Sequence, residues 1–347
     1  MTERSPRPRQ RPRRSLPTWR LLDLGRCPPV RAVAFSESVA RSVGRGDVPN
    51  TLLLAQSTRA CISIGFHQSL DAELDQSFLR RHRLPVIRRV EGGGTVFLDR
   101  DQLFYQFVYA DAEGSPGGPV DFARYLSVPI DALRSTGVRC AFRPPSDIVV
   151  GDRKLSGNAG GEWEGAHIIT GDVLGRCNSG AMADLFRLPD PALRPLLARE
   201  VARWMTSWEN ETGRPASWHS LRTSIAKAFQ SCRLGRLEKG KPTMDEETTF
   251  RSETLPRHSD PSWTNVPPLP RSAAQPVRRI RVAGPHGVVV FEEPERATLE
   301  VAVVNRRQVV DAFRIRQGEN HGLRRIPPGA LGRAELARRV REAGGFD

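Results

Sequence analysis

Three consecutive glycines, Gly92, Gly93 and Gly94, stand between two segments that read as strands, and this run narrows the architecture more than any other stretch of the chain. Glycine reaches backbone conformations closed to other residues, so the run predicts a tight turn from a strand at 85–90 into a second strand at 95–98. A strand follows the turn where a phosphate-binding loop would lead into a helix, and the Walker-type lysine is missing. A P-loop or dinucleotide-binding fold is therefore disfavoured. Backbone N–H groups in such a turn still suit an anion. Arg89, just ahead of it, offers a guanidinium fork for a carboxylate or phosphate.

The second constraint is a lysine. Of 53 basic residues only four are lysines, and Lys154 is the only one in the first 226 residues. Arginine has taken almost every place where a plain positive charge serves, so a compact ammonium at 154 points to a role that a broad planar guanidinium cannot fill. It sits in Asp147-Ile-Val-Val-Gly-Asp-Arg-Lys154-Leu-Ser-Gly-Asn-Ala159, where Gly151-Asp152 reads as a two-residue hairpin turn with glycine first. The return strand delivers the ammonium beside the small residues 156–159. An ammonium so placed stabilises charge that develops in acyl transfer. A third segment, Ile169-Thr-Gly-Asp-Val-Leu174, is an apolar strand interrupted by Gly171.

Around these segments, alternation and turn signals predict strands at 19–24, 52–54, 60–66, 138–142, 147–150 and 167–174. The strand at 95–98 is expected to pair with one at 103–109. Helices are expected at 32–43, 71–82 and 121–136, and residues 190–231 read as mainly helical. Residues 236–276 are rich in Pro, Ser, Thr and charge, which suits a linker or disordered insertion. Beyond 277, strands at 279–283, 288–291, 298–304 and 309–315 and a helix at 333–343 predict a small α/β accessory domain.

At 347 residues and 38% hydrophobic, the chain suits two domains or one large one. No apolar run reaches membrane-spanning length, and the start has no signal-type segment, so a cytoplasmic protein is expected. Residues 1–17 read as a basic disordered arm. Seven arginines less one glutamate in residues 1–20 give +6 of the net +14. The arm has no interleaved aromatics, which disfavours nucleic acid. A basic surface equally steers an acidic protein partner. Five scattered cysteines fit a reducing compartment, and no Cys/His cluster predicts a metal site.

Together, Arg88-Arg89-x-x-Gly-Gly-Gly-x-Val-Phe-x-Asp, the Ser146-Asp147 and Gly151–Ala159 segment, and Thr170-Gly171 resemble the catalytic domain shared by lipoate–protein ligases, octanoyltransferases and biotin–protein ligases, closest to the lipoate ligases. The resemblance covers roughly 18–235. It implies an α+β fold of class II synthetase type, a mixed, largely antiparallel sheet flanked by helices, with 277–347 as an accessory domain. It implies that Lys154 contacts the acyl carboxylate and the adenylate phosphate, and that Arg89 faces that phosphate. Gly92, Gly93, Gly94, Thr95, Val96, Ser156, Gly157, Asn158, Ala159, Thr170 and Gly171 would wall the substrate, and Asp147 would lie near the nucleotide or its Mg2+. ATP would activate lipoate or octanoate for attachment to a lysine of a lipoyl carrier domain, in a 2-oxoacid dehydrogenase or glycine cleavage protein. The chain departs from the family at Leu98, Ser146, Gly160 and Thr170, which leaves the substrate open. Two alternatives stay open: a cysteine-dependent octanoyltransferase using Cys140, and a diverged, non-catalytic binding protein.

Overall fold

The computed structural model describes residues 16–110, 120–265, 277–283, 285–293, 298–316 and 323–343. Residues 1–15 of the expected arm lie outside it. The chain enters on β1 (Thr18–Cys27), turns into helix α1 (Pro29–Gly44), and returns through β2 (Thr51–Ser57) and β3 (Cys61–Ile64). After two short helices come β4 (Val86–Arg88), the glycine turn, β5 (Val96–Leu98) and β6 (Gln102–Tyr109). Helix Phe122–Ser135, capped by the Asp121 carboxylate on the Arg124 N–H, leads to β7 (Ala141–Arg143), β8 (Asp147–Val150), β9 (Arg153–Ser156), β10 (Asn158–Trp163) and β11 (Ala166–Leu174). Helices Leu193–Trp204, Trp208–Thr212 and Trp218–Ser231 precede β12 (Arg236–Lys239). The last part of the chain carries β13 (Val277–Ala283), β14 (His286–Glu293), β15 (Thr298–Asn305), β16 (Gln308–Arg316), β17 (Arg324–Arg325) and helix Leu331–Glu342.

The main sheet has the order β10-β11-β6-β2-β1-β12, with β1 parallel to both its neighbours and the remaining pairs antiparallel. Every residue of β2 is buried, as expected of a strand covered on both faces. Its alternation divides two cores. Leu52 and Leu54 pack with Trp19, Tyr105, Phe107 and Phe229 on one side, while Leu53 packs with Leu22, Phe35, Val108 and Ile168 on the other. Two three-stranded sheets, β4-β3-β5 and β7-β8-β9, flank the main one.

Two expectations are corrected. The strand at 95–98 pairs with β3, Ser63 opposite Val96, while β6 lies between β2 and β11. The glycine turn carries β5 back antiparallel onto its own small sheet, a long-range choice that alternation alone does not encode. Residues 236–264 are also not a linker. They form β12 and helices Met244–Thr249, Leu255–Ser259 and Pro261–Thr264. The Thr243–Glu246 capping box starts the first of these helices. Their charged residues escape an apolar pattern because they are buried in pairs. Glu246 binds Arg20, and both Arg257 and His258 bind Glu37 of α1. Residues 266–276 of that expected linker lie outside the described residues.

The C-terminal unit is a five-stranded antiparallel sheet, β13 to β17 in sequence order. Val289 and Phe291 face Leu336 and Val340 of the last helix, while Val288 and Val290 face Leu196, Leu197 and Val201 of helix Leu193–Trp204. Burial on both faces joins this sheet to the larger domain. Among the described residues no helix is long and apolar enough to cross a membrane.

Candidate active site

A cavity of about 300 Å³ opens where the face of β6, β10 and β11 meets the start of α1, the glycine turn and the Lys154 hairpin. This volume is at the low end of the range for small-molecule sites. Of the residues singled out in the sequence, Arg89, Gly93, Gly94, Thr95, Val96, Lys154, Gly157, Asn158, Ala159, Thr170 and Gly171 line this one cavity. Gly92, Asp147 and Ser156 are not among its lining residues.

The hairpin sets the lysine. Gly151 has a φ of 57°, which glycine adopts freely, and Val150 pairs with Arg153 across the turn. Lys154 Nζ lies 2.8 Å from Asp147 Oδ1, and Arg143 Nη2 donates to the other carboxylate oxygen at 2.9 Å. Burial alone would raise the Asp147 carboxyl. The Lys154 ammonium and the Arg143 guanidinium overcome it and hold the group below the usual carboxylate range. Both oxygens are thus engaged by cations, so Asp147 orients the ammonium and does not fit the expected role near a magnesium ion. A Cβ at Gly157 would come within 2.9 Å of Lys154 Cε, so this glycine makes room for the lysine stem.

Behind the lysine, the Tyr105 hydroxyl donates to Asn158 Oδ1 at 2.5 Å and lies 2.7 Å from Ser156 Oγ, while Asn158 Nδ2 donates to the Ser146 carbonyl at 2.7 Å. Ser156 and Asn158 therefore hold the small-residue loop in shape. A Cβ at Gly171 would clash with Asn158 Oδ1 and the Tyr105 ring, which is why the strand breaks its apolar run there.

Opposite, Arg89 lies buried beneath the turn. Its guanidinium donates to the carbonyls of Gly92 (2.6 Å) and Gly94 (2.8 Å), and to Ser63. The fork expected to face a phosphate instead shapes the glycine turn. Burial drives its pKa down to about 10. Arg88, almost fully enclosed, donates to the carbonyls of Phe66, Gln68, Trp263 and Thr264. The Trp263 indole N–H in turn donates to the Arg88 carbonyl at 3.0 Å.

Cys140 is 3% exposed in the apolar core and lines no part of the cavity. Its Sγ lies 3.7 Å from the Ile130 carbonyl, and burial pushes the thiol up to about 11. Cys27, Cys61 and Cys177 are pushed up to about 11, 12 and 11 by burial, and none of the five cysteines lines the cavity. Such thiols carry little thiolate at neutral pH.

The lining residues that escaped the sequence reading include the polar Glu91, Gln106 and Asp172. The signal for Asp172 was present, a carboxylate inside an otherwise apolar strand. Burial pushes its carboxyl up to about 7 against the pull of Lys154 and Arg89. A carboxyl raised on folding favours the folded state at low pH, and that advantage is lost as pH climbs from about 4 through 7. Asp172→Asn should therefore raise the melting temperature at pH 8 by more than it does at pH 5. Equal gains at the two pH values would refute the buried-charge account.

The mixed sheet, the lysine hairpin and the glycine turn that meet at this cavity make up an α+β fold of the lipoate ligase type. Residues 28–230 match the model of the lipoyl protein ligase A/B catalytic domain, and the chain belongs to that family. The octanoyltransferase LipM of Symbiobacterium thermophilum is 30% identical over 270 residues, 71% of this chain and 97% of that protein. Its counterpart in Kyrpidia tusciae is 27% identical over 67% of this chain and 93% of its own length. Among solved structures, a bipartite lipoate protein ligase from Thermoplasma acidophilum superposes with a TM-score of 0.62 at 18% identity, over 75% of this chain and 100% of that one. A lipoate-protein ligase A bound with ATP gives 0.60 at 19% identity, over 71% and 98%.

Proposed function

We propose that this protein attaches a medium-chain acyl group, lipoate or octanoate in type, to a lysine of a lipoyl carrier domain, after activating the acid with ATP. The observation that carries the ATP-dependent reading is the lining of the cavity: it holds an ammonium and no cysteine. A thioester route needs an accessible thiolate, and no cysteine lines this cavity to supply one.

In this reading the acyl carboxylate attacks the α-phosphate of ATP, pyrophosphate leaves, and the acyl-adenylate forms. The amine of the carrier lysine then attacks the acyl carbonyl and AMP departs. Lys154, held by Asp147, stabilises negative charge on the phosphate and on the carbonyl oxygen in turn. Phe97, Met182, Leu185 and Phe186 supply an apolar lobe that suits a purine ring. No side-chain cluster among the described residues could hold a metal. Magnesium would enter on the nucleotide's own phosphates, as is common for this ion. A basic chain surface suits an acidic carrier.

The names of the relatives support a second reading, octanoyl transfer from a carrier-protein thioester without ATP. Intact mass of a lipoyl domain separates the two. One reaction receives lipoate or octanoate with ATP and magnesium, and the other receives octanoyl-carrier protein alone. Modification only with ATP is expected, and Cys140→Ser should leave it unchanged. Modification without ATP, abolished by Cys140→Ser, would overturn the adenylate route. No gain in either reaction would favour a non-catalytic binder.

A further inference from the structure

Asp172 has no part in the chemistry described so far, yet it stands where the chemistry happens. Residues two apart on a strand share a face. On β11, Ile169 and Val173 pack into the core with Leu52 and Tyr105, while Thr170 and Asp172 face the other way and line the cavity with Lys154. These two stay partly exposed on a strand that is otherwise buried. The Gly157 N–H donates to the Asp172 carboxylate and fixes it against the lysine hairpin. The charged and titratable groups around it are Lys154 on β9, Arg89 and Glu91 after β4, Asp99 after β5 and Tyr105 on β6. Lys154 already has a counter-ion in Asp147 at 2.8 Å, so charge balance at the ammonium does not call for a second carboxylate. Asp172 also weakens the fold above pH 7, by the sign argued above, and a buried group of this kind in a cleft points to a task.

The amide-forming step has a proton to dispose of. A carrier lysine arrives as an ammonium at neutral pH, since an ordinary lysine titrates at about pH 10. An ammonium has no lone pair, so a proton must leave before the nitrogen attacks. Among the described residues, the cavity lining holds no histidine, cysteine or tyrosine. Gln106, opposite Thr170 on β6, is an amide tied through Nε2 to the Val33 carbonyl at 2.8 Å, and it takes no proton. Glu91 is 1% exposed and out of a ligand's reach. Glu73 belongs to the apolar lobe, where its neighbour Leu74 bridges to Phe186. Asp172 is left, on the same wall as the lysine that holds the acyl carbonyl. A base works best when its pKa lies near the operating pH, and burial sets the Asp172 carboxyl at about 7.

Resting on the acyl-transfer reading above, we propose that Asp172 is the general base of amide formation, taking a proton from the ammonium of the carrier lysine so that the freed amine attacks the acyl carbonyl at Lys154. The N–C bond forms as the carbonyl π electrons move onto oxygen. They return as the C–O bond to the phosphate breaks, and AMP leaves with that electron pair. The second proton on nitrogen passes to the departing phosphate, and Asp172 gives the first one to water. The carboxylate's charge also draws the ammonium into the cavity.

The test is single-turnover transfer from ready-made octanoyl-adenylate by the full-length protein to two acceptors. One is a lipoyl domain, and the other is hydroxylamine, which is uncharged at neutral pH and needs no base. Asp172→Asn should slow transfer to the lipoyl domain by about 10²-fold at pH 7, the lower end for general-base catalysis. The loss toward hydroxylamine should be at least tenfold smaller. In wild-type protein the lipoyl-domain rate should climb with pH and level off above about 7. In Asp172→Asn that plateau should vanish, and the rate should keep rising toward the titration of the lysine itself. Asp172→Glu should restore part of the rate. Equal losses toward both acceptors would make Asp172 a structural residue and overturn the proposal. An unchanged rate or an unchanged pH profile in Asp172→Asn would overturn it as well. If that variant does not fold, the wild-type profile and Asp172→Glu decide. Octanoyl-carrier protein serves as a second donor. Transfer from it alone would sink the ATP-dependent reading, while an acceptor-selective loss in Asp172→Asn with this donor would still support the base. No transfer by wild-type protein from either donor would sink both.

Discussion

Replacing Lys154 with arginine should lower acyl transfer by about 10²–10³-fold, the loss typical of removing one well-aimed stabiliser of developing charge. The reasoning is geometric. The lysine stem passes so close to Gly157 that a single added carbon there would lie 2.9 Å from Cε. A planar guanidinium does not fit the same channel, and it would push its charge past the reacting carbonyl. Stability should change little, because Asp147 keeps the Arg143 guanidinium at 2.9 Å and arginine retains a positive charge nearby. Single-turnover modification of the carrier domain reads the rate, and a thermal melt reads the fold. Full activity in Lys154→Arg would remove the lysine from the chemistry.

The second large effect is expected at a glycine outside the triple run. A Cβ at Gly65 would fall inside the Gly93 carbonyl and lie 3.0–3.2 Å from the carbonyl carbons of Gly93 and Gly92. These are backbone atoms, so relief requires moving the turn itself. Gly65→Ala should destabilise the protein by about 1–3 kcal/mol, the usual range for overpacking. It should also weaken acyl binding, since Gly93, Gly94 and Thr95 line the cavity. Gly92→Ala is the control: its Cβ meets nothing within 4 Å. It should be close to neutral in a denaturant melt. Equal losses in the two variants would mean that the turn tolerates no side chain anywhere, rather than being pinned from Gly65.

Local chemistry announced much of this site. The glycine run, the hairpin turn at Gly151 and the isolated lysine are short-range signals, and each is found where its neighbours imply. What stayed hidden depends on residues far apart in the chain. The partner of β5 was misjudged because alternation gives a strand's faces but not its neighbours. The segment 236–264 looked unstructured because its buried groups are charged, and their partners Arg20 and Glu37 lie more than 200 residues away. Arg89 looked like a ligand-facing fork. Only the folded turn brings the carbonyls of Gly92 and Gly94 to its guanidinium. Gln106 gave no signal at all, since an amide in a strand becomes informative only when one end of it is tied to Val33.

The double clasp between Arg88 and Trp263 also has a meaning in time. The two residues are 175 positions apart, and the guanidinium and the indole exchange bonds with each other's carbonyls. At ribosomal speeds of 5–20 residues per second, roughly 9–35 s pass between the emergence of the arginine and that of the tryptophan. For the later part of that interval the nascent chain holds both the glycine turn and the lysine hairpin, but not this fastening. The cavity, whose lining also takes in Ile280, Arg281 and Val282 of β13, is therefore completed late in translation, and a nascent chain halted near residue 235 would hold the glycine turn and the lysine hairpin without this fastening.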